Sequence, residues 1–190
     1  MQILIIYGSL EGQTKKISER IRDTLQARGH QVMLLSGDRL PVGFSLDSVD
    51  AAIIGASIHI SKYPAYIKEF VATHRDWLNS VPTAFFTVCM AIRSKKAESR
   101  NQAAKYGEDF LKKTGWLPTL TATFAGAVKY TQYNFITRYI MKKISKSEGG
   151  STDTSHDHEY TDWSTVTQFA DEFSALINDR VNNREHSPAS

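Results

Sequence analysis

Ser9, Leu10, Glu11, Gly12, Gln13 and Thr14 lie between a short apolar run, Ile3 to Tyr7, and a stretch of helical periodicity. Two hydroxyl side chains and a glycine therefore surround a helix N-terminus. The free backbone N–H groups and dipole of such a terminus favour an anion. Gly12 lets the backbone close on a phosphate with no Cβ in the way. The chain has no Gly-x-Gly-x-x-Gly, which argues against a dinucleotide, and no Gly-Lys-Ser/Thr, which argues against a nucleoside triphosphate. A hydroxyl-rich loop without a buried lysine suits the terminal phosphate of a noncovalently held mononucleotide such as FMN. Lys15 and Lys16 follow the loop and are expected on the exposed face of the helix.

Two further segments could wall a flat ring. Gly55-Ala56-Ser57-Ile58-His59-Ile60 ends a third apolar run, and Val88-Cys89-Met90-Ala91-Ile92-Arg93 ends a fourth. In open α/β sheets a ligand lies outside the carboxyl ends of the strands, at the point where the strand order reverses. Small residues there let a ring approach the backbone, whose N–H and C=O groups can read its edge. His59 is expected to be solvated. Cys89 is the only cysteine, so intramolecular disulfides and Cys-x-x-Cys chemistry are excluded. It fits a reducing cytosol and is expected to be a small buried hydrophobe. Trp77 and Trp116 are expected to pack in the core. No side chain stands out as a catalytic acid, base or metal ligand.

The elements that must position these segments follow from apolar periodicity. Strands are expected at 3–7, 31–35, 51–54, 84–88 and 120–125. Ile17, Ile21 and Leu25 mark a first helix, closed by Gly29. Tyr66, Ile67, Phe70, Val71 and His74 mark a second, and Tyr106, Phe110 and Leu111 a third. A last helix carries Trp163, Val166, Phe169, Ala170, Phe173 and Ile177, with Thr161 as its expected N-cap. Strand–helix alternation repeated five times specifies an α/β fold: a five-stranded parallel sheet, order 2-1-3-4-5, with helices on both faces. The 190 residues fit one domain, expected over 1–181, with a disordered tail over 182–190.

One stretch breaks the rhythm. About 35 residues, Gly126 to Tyr160, separate the fifth strand from the last helix. Apolar residues there recur at spacings of three and four among basic ones: Tyr133, Phe135, Ile136, Tyr139 and Ile140 beside Lys129, Arg138, Lys142 and Lys143. This predicts a basic amphipathic helical insert, about 127–159, suited to acidic small molecules or an anionic membrane surface. Net charge is only +3, but residues 129–146 hold five basic residues and no acid. Residues 93–105 add Arg93, Lys95, Lys96, Arg100 and Lys105 against Glu98 alone. No apolar run approaches the roughly 20 residues of a membrane span, and the N-terminal run lacks the features of a signal peptide. A soluble or peripheral protein is expected.

With these segments in place the chain resembles the flavodoxin-like, quinone-dependent protoporphyrinogen oxidases of bacterial haem synthesis. The resemblance rests on Ile53-Ile-Gly-Ala-Ser-Ile58, Ala125-Gly-Ala-Val-Lys-Tyr130, Gly149-Gly-Ser-Thr-Asp-Thr154, Tyr160-Thr-Asp-Trp163 and the basic aromatic insert. It implies FMN as the cofactor and protoporphyrinogen IX as the substrate. The electron acceptor would be a membrane quinone, menaquinone or ubiquinone. The implied site is peripheral, on the cytoplasmic face of the inner membrane. Gly126, Gly149, Gly150, Thr152 and Asp153 join the implied cofactor site, and Lys129, Tyr133, Phe135, Arg138, Tyr139, Lys142 and Lys143 the implied substrate or membrane surface. Where the family shows arginine, tyrosine and glycine after Ser57-Ile58, this chain has His59, Ile60 and Ser61. Cys89 stands where a polar residue is expected. A flavodoxin electron carrier and an NAD(P)H:quinone or FMN reductase are the alternatives. Nucleic acid is not an expected partner, and a homo-oligomer stays open.

Overall fold

The computed structural model describes residues 1–59, 61–132, 139, 142–143, 145–146, 151 and 153–185, with side chains masked at 132 and 181–185. Strands β1 (Gln2–Gly8), β2 (Gln31–Ser36), β3 (Ala51–Ser57), β4 (Thr83–Val88) and β5 (Leu120–Phe124) form one sheet in the order β2-β1-β3-β4-β5. All four pairings are parallel; Ile5 faces Leu34 on one side and Ile53 on the other. The expected fold class and strand order are therefore observed.

Alternation along each strand explains the two layers, because successive side chains point to opposite faces. Ile3 and Ile5 enter a core with Ile17, Ile21 and Leu25 of helix α1 (Gln13–Ala27) and Val166, Phe169 and Phe173 of helix α4 (Trp163–Glu185). Leu4 and Ile6 enter a second core with Ile67, Phe70 and Val71 of α2 (Ala65–Ser80) and Phe110 of α3 (Ala97–Thr114). Both expected tryptophans pack on this second face. Trp116 is fully buried and donates from Nε1 to Thr83 Oγ1 at 3.0 Å, and Trp77 is partly buried against the same core. Gly29, φ +87°, ends α1 as expected.

Four expectations are corrected. The β2–β3 crossover, 37–50, contains no helix. Pro41 and Gly43, the latter at φ +77°, interrupt it, and Leu40, Phe44, Leu46 and Val49 cover the second core from irregular chain instead. Second, β3 continues through Gly55 and Ala56 to Ser57 rather than ending at Ile54. Gly55 pairs within the sheet opposite Tyr7 and Phe86, and glycine is required there because a Cβ would overlap the Phe86 ring. Third, the N-cap of α4 is Asp162, whose Oδ1 accepts the Ser164 N–H at 2.9 Å; Thr161 has another role, described below. Fourth, α4 runs to Glu185, so 182–185 are helical rather than disordered; no glycine or proline stops the helix before Pro188. The rest of the expected tail, 186–190, lies outside the described residues.

Gly55→Ala is expected to destabilise the fold by about 1–3 kcal/mol, since the added methyl overlaps a fully buried ring. The urea midpoint of the apoprotein measures this. Combining it with Phe86→Leu, which vacates the space, is expected to cost less than the sum of the two single changes.

Candidate functional site

Because the sheet is parallel, β1, β3, β4 and β5 deliver their connections to one edge. Gly12 is the N-cap of α1 and sits at φ +85°. Among the described residues no heavy atom lies within 4 Å of where its Cβ would be, so backbone conformation, not crowding, requires glycine there. Its N–H donates to Ser9 Oγ at 3.0 Å. Among the described residues no side chain caps the α1 N-terminus, which leaves N–H groups for an anion. Thr14 is 1% exposed, yet its Oγ1 has no hydrogen-bond partner among the described residues. Such burial of an unpaired hydroxyl is costly unless something arrives to bond it. Lys15 and Lys16 are exposed, as expected; Lys15 pairs with Glu19 at 3.8 Å. Leu10 projects from the loop, 61% exposed.

Gln13 is oriented from a distance. Thr161 Oγ1 donates to the Ala125 carbonyl at 2.8 Å. Its single proton is thereby used, so it accepts from Gln13 Nε2, also at 2.8 Å. The amide is thus aimed with Oε1 away from Thr161, and that buried Oε1 has no hydrogen-bond partner among the described residues.

The next two loops adjoin. Ile58 N–H donates to the Val88 carbonyl at 3.0 Å, and Cys89 N–H to the Phe124 carbonyl at 3.0 Å. Ala56 turns its side chain into the second core and Val88 into the first, so only their backbones can face a ligand. Ser57 Oγ is shielded from solvent and has no hydrogen-bond partner among the described residues. His59 is exposed and closes a tight turn with Lys62 through two backbone hydrogen bonds of 2.9 and 3.0 Å. Ile60 lies outside the described residues. Ser61, where the resemblance implies glycine, adopts φ +60°, and its Oγ accepts from Tyr106 Oη at 2.8 Å. Tyr63 anchors the far end by a buried 2.8 Å bond to Thr87, and burial pushes its phenol pKa up. Cys89 is buried, as expected, and Met90 and Ala91 open a 3-10 turn, Met90–Arg93.

Beyond β5, Gly126 packs on the end of β4: a Cβ there would meet Val88 Cγ1 at 3.0 Å. The insert then starts with β6 (Ala127–Val128), which pairs antiparallel with β7 (His158–Glu159). Lys129 Nζ lies 3.6 Å from Asp157, and Thr131 donates to Asp157 twice. Tyr130 Oη donates to the Ser151 carbonyl, while Ser151 N–H donates to Tyr160 Oη. Asp153 forms a turn, accepting from Ser155 N–H at 2.9 Å. Tyr139, Lys142, Lys143, Ser145 and Lys146 are helical; Tyr139 is 61% exposed, with Lys143 Nζ 4.8 Å from its ring centre. Tyr133, Phe135, Arg138, Gly149, Gly150 and Thr152 lie outside the described residues.

Glu159 was not singled out in the sequence. It accepts from Lys16 Nζ at 3.2 Å and Trp163 Nε1 at 2.9 Å, bolting the returning segment to α1. Its partners lie on α1 and α4, and no local pattern marked it. Thr161 was marked only as a cap; its bond to Gln13, 148 residues away, had no local signal.

A five-stranded parallel sheet of order 2-1-3-4-5, with a helix N-terminus after β1 and the β3 and β4 loops beside it, is the architecture of the flavodoxin class. The chain belongs to the flavodoxin domain family, whose model matches residues 4–155. It is 36% identical over 177 residues to protoporphyrinogen IX dehydrogenase [quinone] of Escherichia coli strain K12, covering 93% of this chain and 96% of that one. A protein of the same name from Leishmania major is 33% identical over 91% of this chain and 74% of its own length. Among solved structures, an archaeal flavodoxin aligns with TM-score 0.56 at 14% identity, covering 94% of this chain and 99% of that one. Flavodoxin 1 of Bacillus cereus aligns with TM-score 0.57 at 16% identity over 92% and 98%. These two share the fold.

Burial raises the Glu159 pKa, but hydrogen bonds from Lys16, Trp163 and Gln13 outweigh it and hold the pKa below its usual 4.5. A depressed carboxylate contributes stability above its unfolded pKa and loses it as pH falls through the folded value. The stability advantage of the native protein over Glu159→Gln is therefore expected to be level near neutrality and to shrink below about pH 4.5. Urea unfolding of both proteins between pH 7 and 3 reads this out; a gap that grows on acidification contradicts it.

Proposed function

We propose that this chain binds FMN noncovalently and oxidises protoporphyrinogen IX to protoporphyrin IX, passing the electrons to a membrane quinone, menaquinone or ubiquinone. The observation that carries the flavin is the unpaired Thr14 hydroxyl, buried beside the uncapped N-terminus of α1. A phosphate satisfies both at once: its oxygens accept from the hydroxyl and from the N–H groups. Substrate and acceptor come from the name of the two relatives, with E. coli identity spread over 93% of the chain.

Bound FMN would supply the two-electron redox chemistry that these side chains lack. The protein's part is to bind, orient and shield. Ser9, Glu11, Gly12, Gln13 and Thr14 hold the phosphate end. The backbones of Ser57 to His59 and Val88 to Ala91 flank the ring, with Ser57 Oγ available to it. Gly126, and with it the segment around Asp153, closes the site from the β5 side. The protein works peripherally at the cytoplasmic face of the inner membrane, where quinone is dissolved. Support for that comes from Lys142, Lys143 and Lys146, all exposed on a helical stretch beside exposed Tyr139. Each such cation contributes roughly 1 kcal/mol at an anionic surface.

Thr14→Val tests the flavin site with opposite signs in the two states. The variant removes a buried unpaired hydroxyl, so the apoprotein is expected to be at least as stable as the native one. Its FMN affinity is expected to fall about 10-fold, or about 1.4 kcal/mol. Fluorescence titration with FMN and urea unfolding of the apoprotein measure the two effects; unchanged affinity removes the phosphate assignment. The substrate is tested by anaerobic addition of protoporphyrinogen IX to the yellow protein, which is expected to bleach the flavin. Anionic vesicles containing menaquinone should restore the colour, and Lys142→Glu with Lys143→Glu should weaken vesicle co-sedimentation. Bleaching by NADPH but not by the porphyrinogen overturns the substrate assignment.

A further inference from the structure

The basic residues at this edge are not equivalent. Lys16 is held by Glu159 and Lys129 by Asp157. Arg100 Nη1 donates to the Ser94 carbonyl at 2.7 Å. Arg93 differs. Its guanidinium lies 4.6 Å from the centre of the Tyr160 ring, and no carboxylate among the described residues pairs with it.

Both members of this contact are held from below. Arg93 ends the 3-10 turn that follows β4. The next residue, Ser94, is 2% exposed; its N–H donates to the Ala91 carbonyl, its Oγ accepts from Lys96 N–H, and its carbonyl takes the Arg100 bond. Tyr160 is fixed through its own N–H to the Gly126 carbonyl at 3.0 Å and through its Oη to Ser151 N–H at 2.8 Å. Its other neighbour is His158, stacked at 6.2 Å. An arginine resting on an aromatic face keeps its edge donors for a ligand, in a fork matching a carboxylate. Less conformational freedom remains to be lost on binding.

We propose that Arg93, seated on Tyr160, is a carboxylate-recognition site that holds a propionate of the tetrapyrrole substrate, with exposed Lys95 and Lys96 flanking it. The inference rests on the substrate reading given above and adds the residue that recognises the substrate's charge. Its place supports it: Arg93 lies two residues beyond Ala91, where the wall proposed for the flavin ring ends. A propionate anchored there keeps the macrocycle at the mouth of the site. Lysine keeps the charge but loses the fork, so Arg93→Lys separates bidentate recognition from general attraction.

The experiment is equilibrium titration of the FMN-loaded protein with protoporphyrin IX and with its dimethyl ester, which has the same macrocycle and no carboxylates. The native protein is expected to bind the diacid at least 10-fold more tightly than the ester. Arg93→Gln should lose that preference, bind the ester as the native protein does, and keep native FMN affinity. Arg93→Lys should fall between them. Tyr160→Leu, which keeps the apolar bulk and removes the ring face and hydroxyl, should weaken diacid binding more than ester binding. Native diacid preference in Arg93→Gln overturns the inference and leaves the substrate reading intact. Equal loss for diacid and ester also overturns it, because the residue is then structural. A native protein that binds neither porphyrin and leaves its flavin oxidised in the presence of protoporphyrinogen IX removes both.

Discussion

Parallel pairing of β1 with β2 on one side and β3 on the other is the constraint on which the site depends. A parallel ladder sends every strand's carboxyl end to the same edge. The chain leaves β1 toward β2 through α1 and later returns to β3 on the opposite side. At that reversal the helix N-terminus is not covered by a neighbouring crossover. The unsatisfied donors of α1 and the unpaired hydroxyl of Thr14 meet there. Any register slip between β1 and β3 would move Ser57 and Ile58 relative to Gly12 and misalign both halves of the site.

The second organising interaction is long-range. The segment 157–163 returns from the insert across the mouth of the sheet and is tied to α1 by Glu159 and Thr161. Thr161 has one proton, and giving it to Ala125 decides which end of the Gln13 amide faces the site. The returning end of the insert is therefore part of the framework around the α1 N-terminus, not an appendage to it. The same segment sorts the basic residues. Lys16 and Lys129 are spent on framework ion pairs, while Arg93 stays poised on Tyr160.

The turn after β3 departs from the pattern that the resemblance implies, and side chains hold its conformation. Ser61 occupies a left-handed conformation that glycine adopts without strain, and Tyr106 hydrogen-bonds its hydroxyl. Tyr63 pins the other end of the turn in the core. The two tyrosines provide anchorage that a glycine alone would not.

Strand order, helix positions, the hydroxyl-rich turn at the start of α1 and the buried state of Cys89 were legible in the sequence. Each is written in local periodicity or composition: alternating apolar residues, four-residue repeats, a hydroxyl-rich turn before a helix. The irregular crossover over 37–50 was missed because helices between strands are the habit of this architecture, and Pro41 and Gly43 override it locally. The extension of β3 through Gly55 was missed because a glycine usually signals a turn. Only the packed Phe86 ring shows that here it makes room in a strand. Thr161 looked like a cap, since a threonine before an apolar helical run ordinarily is one; Asp162 takes that place by one residue. The roles of Glu159, Thr161 and Arg93 were set by tertiary structure alone. Their partners stand 143, 148 and 67 positions away, from Glu159 to Lys16, Thr161 to Gln13 and Arg93 to Tyr160. No spacing rule reaches that far, because which side chains meet at the sheet's edge is decided only when the strands pair and the insert folds back.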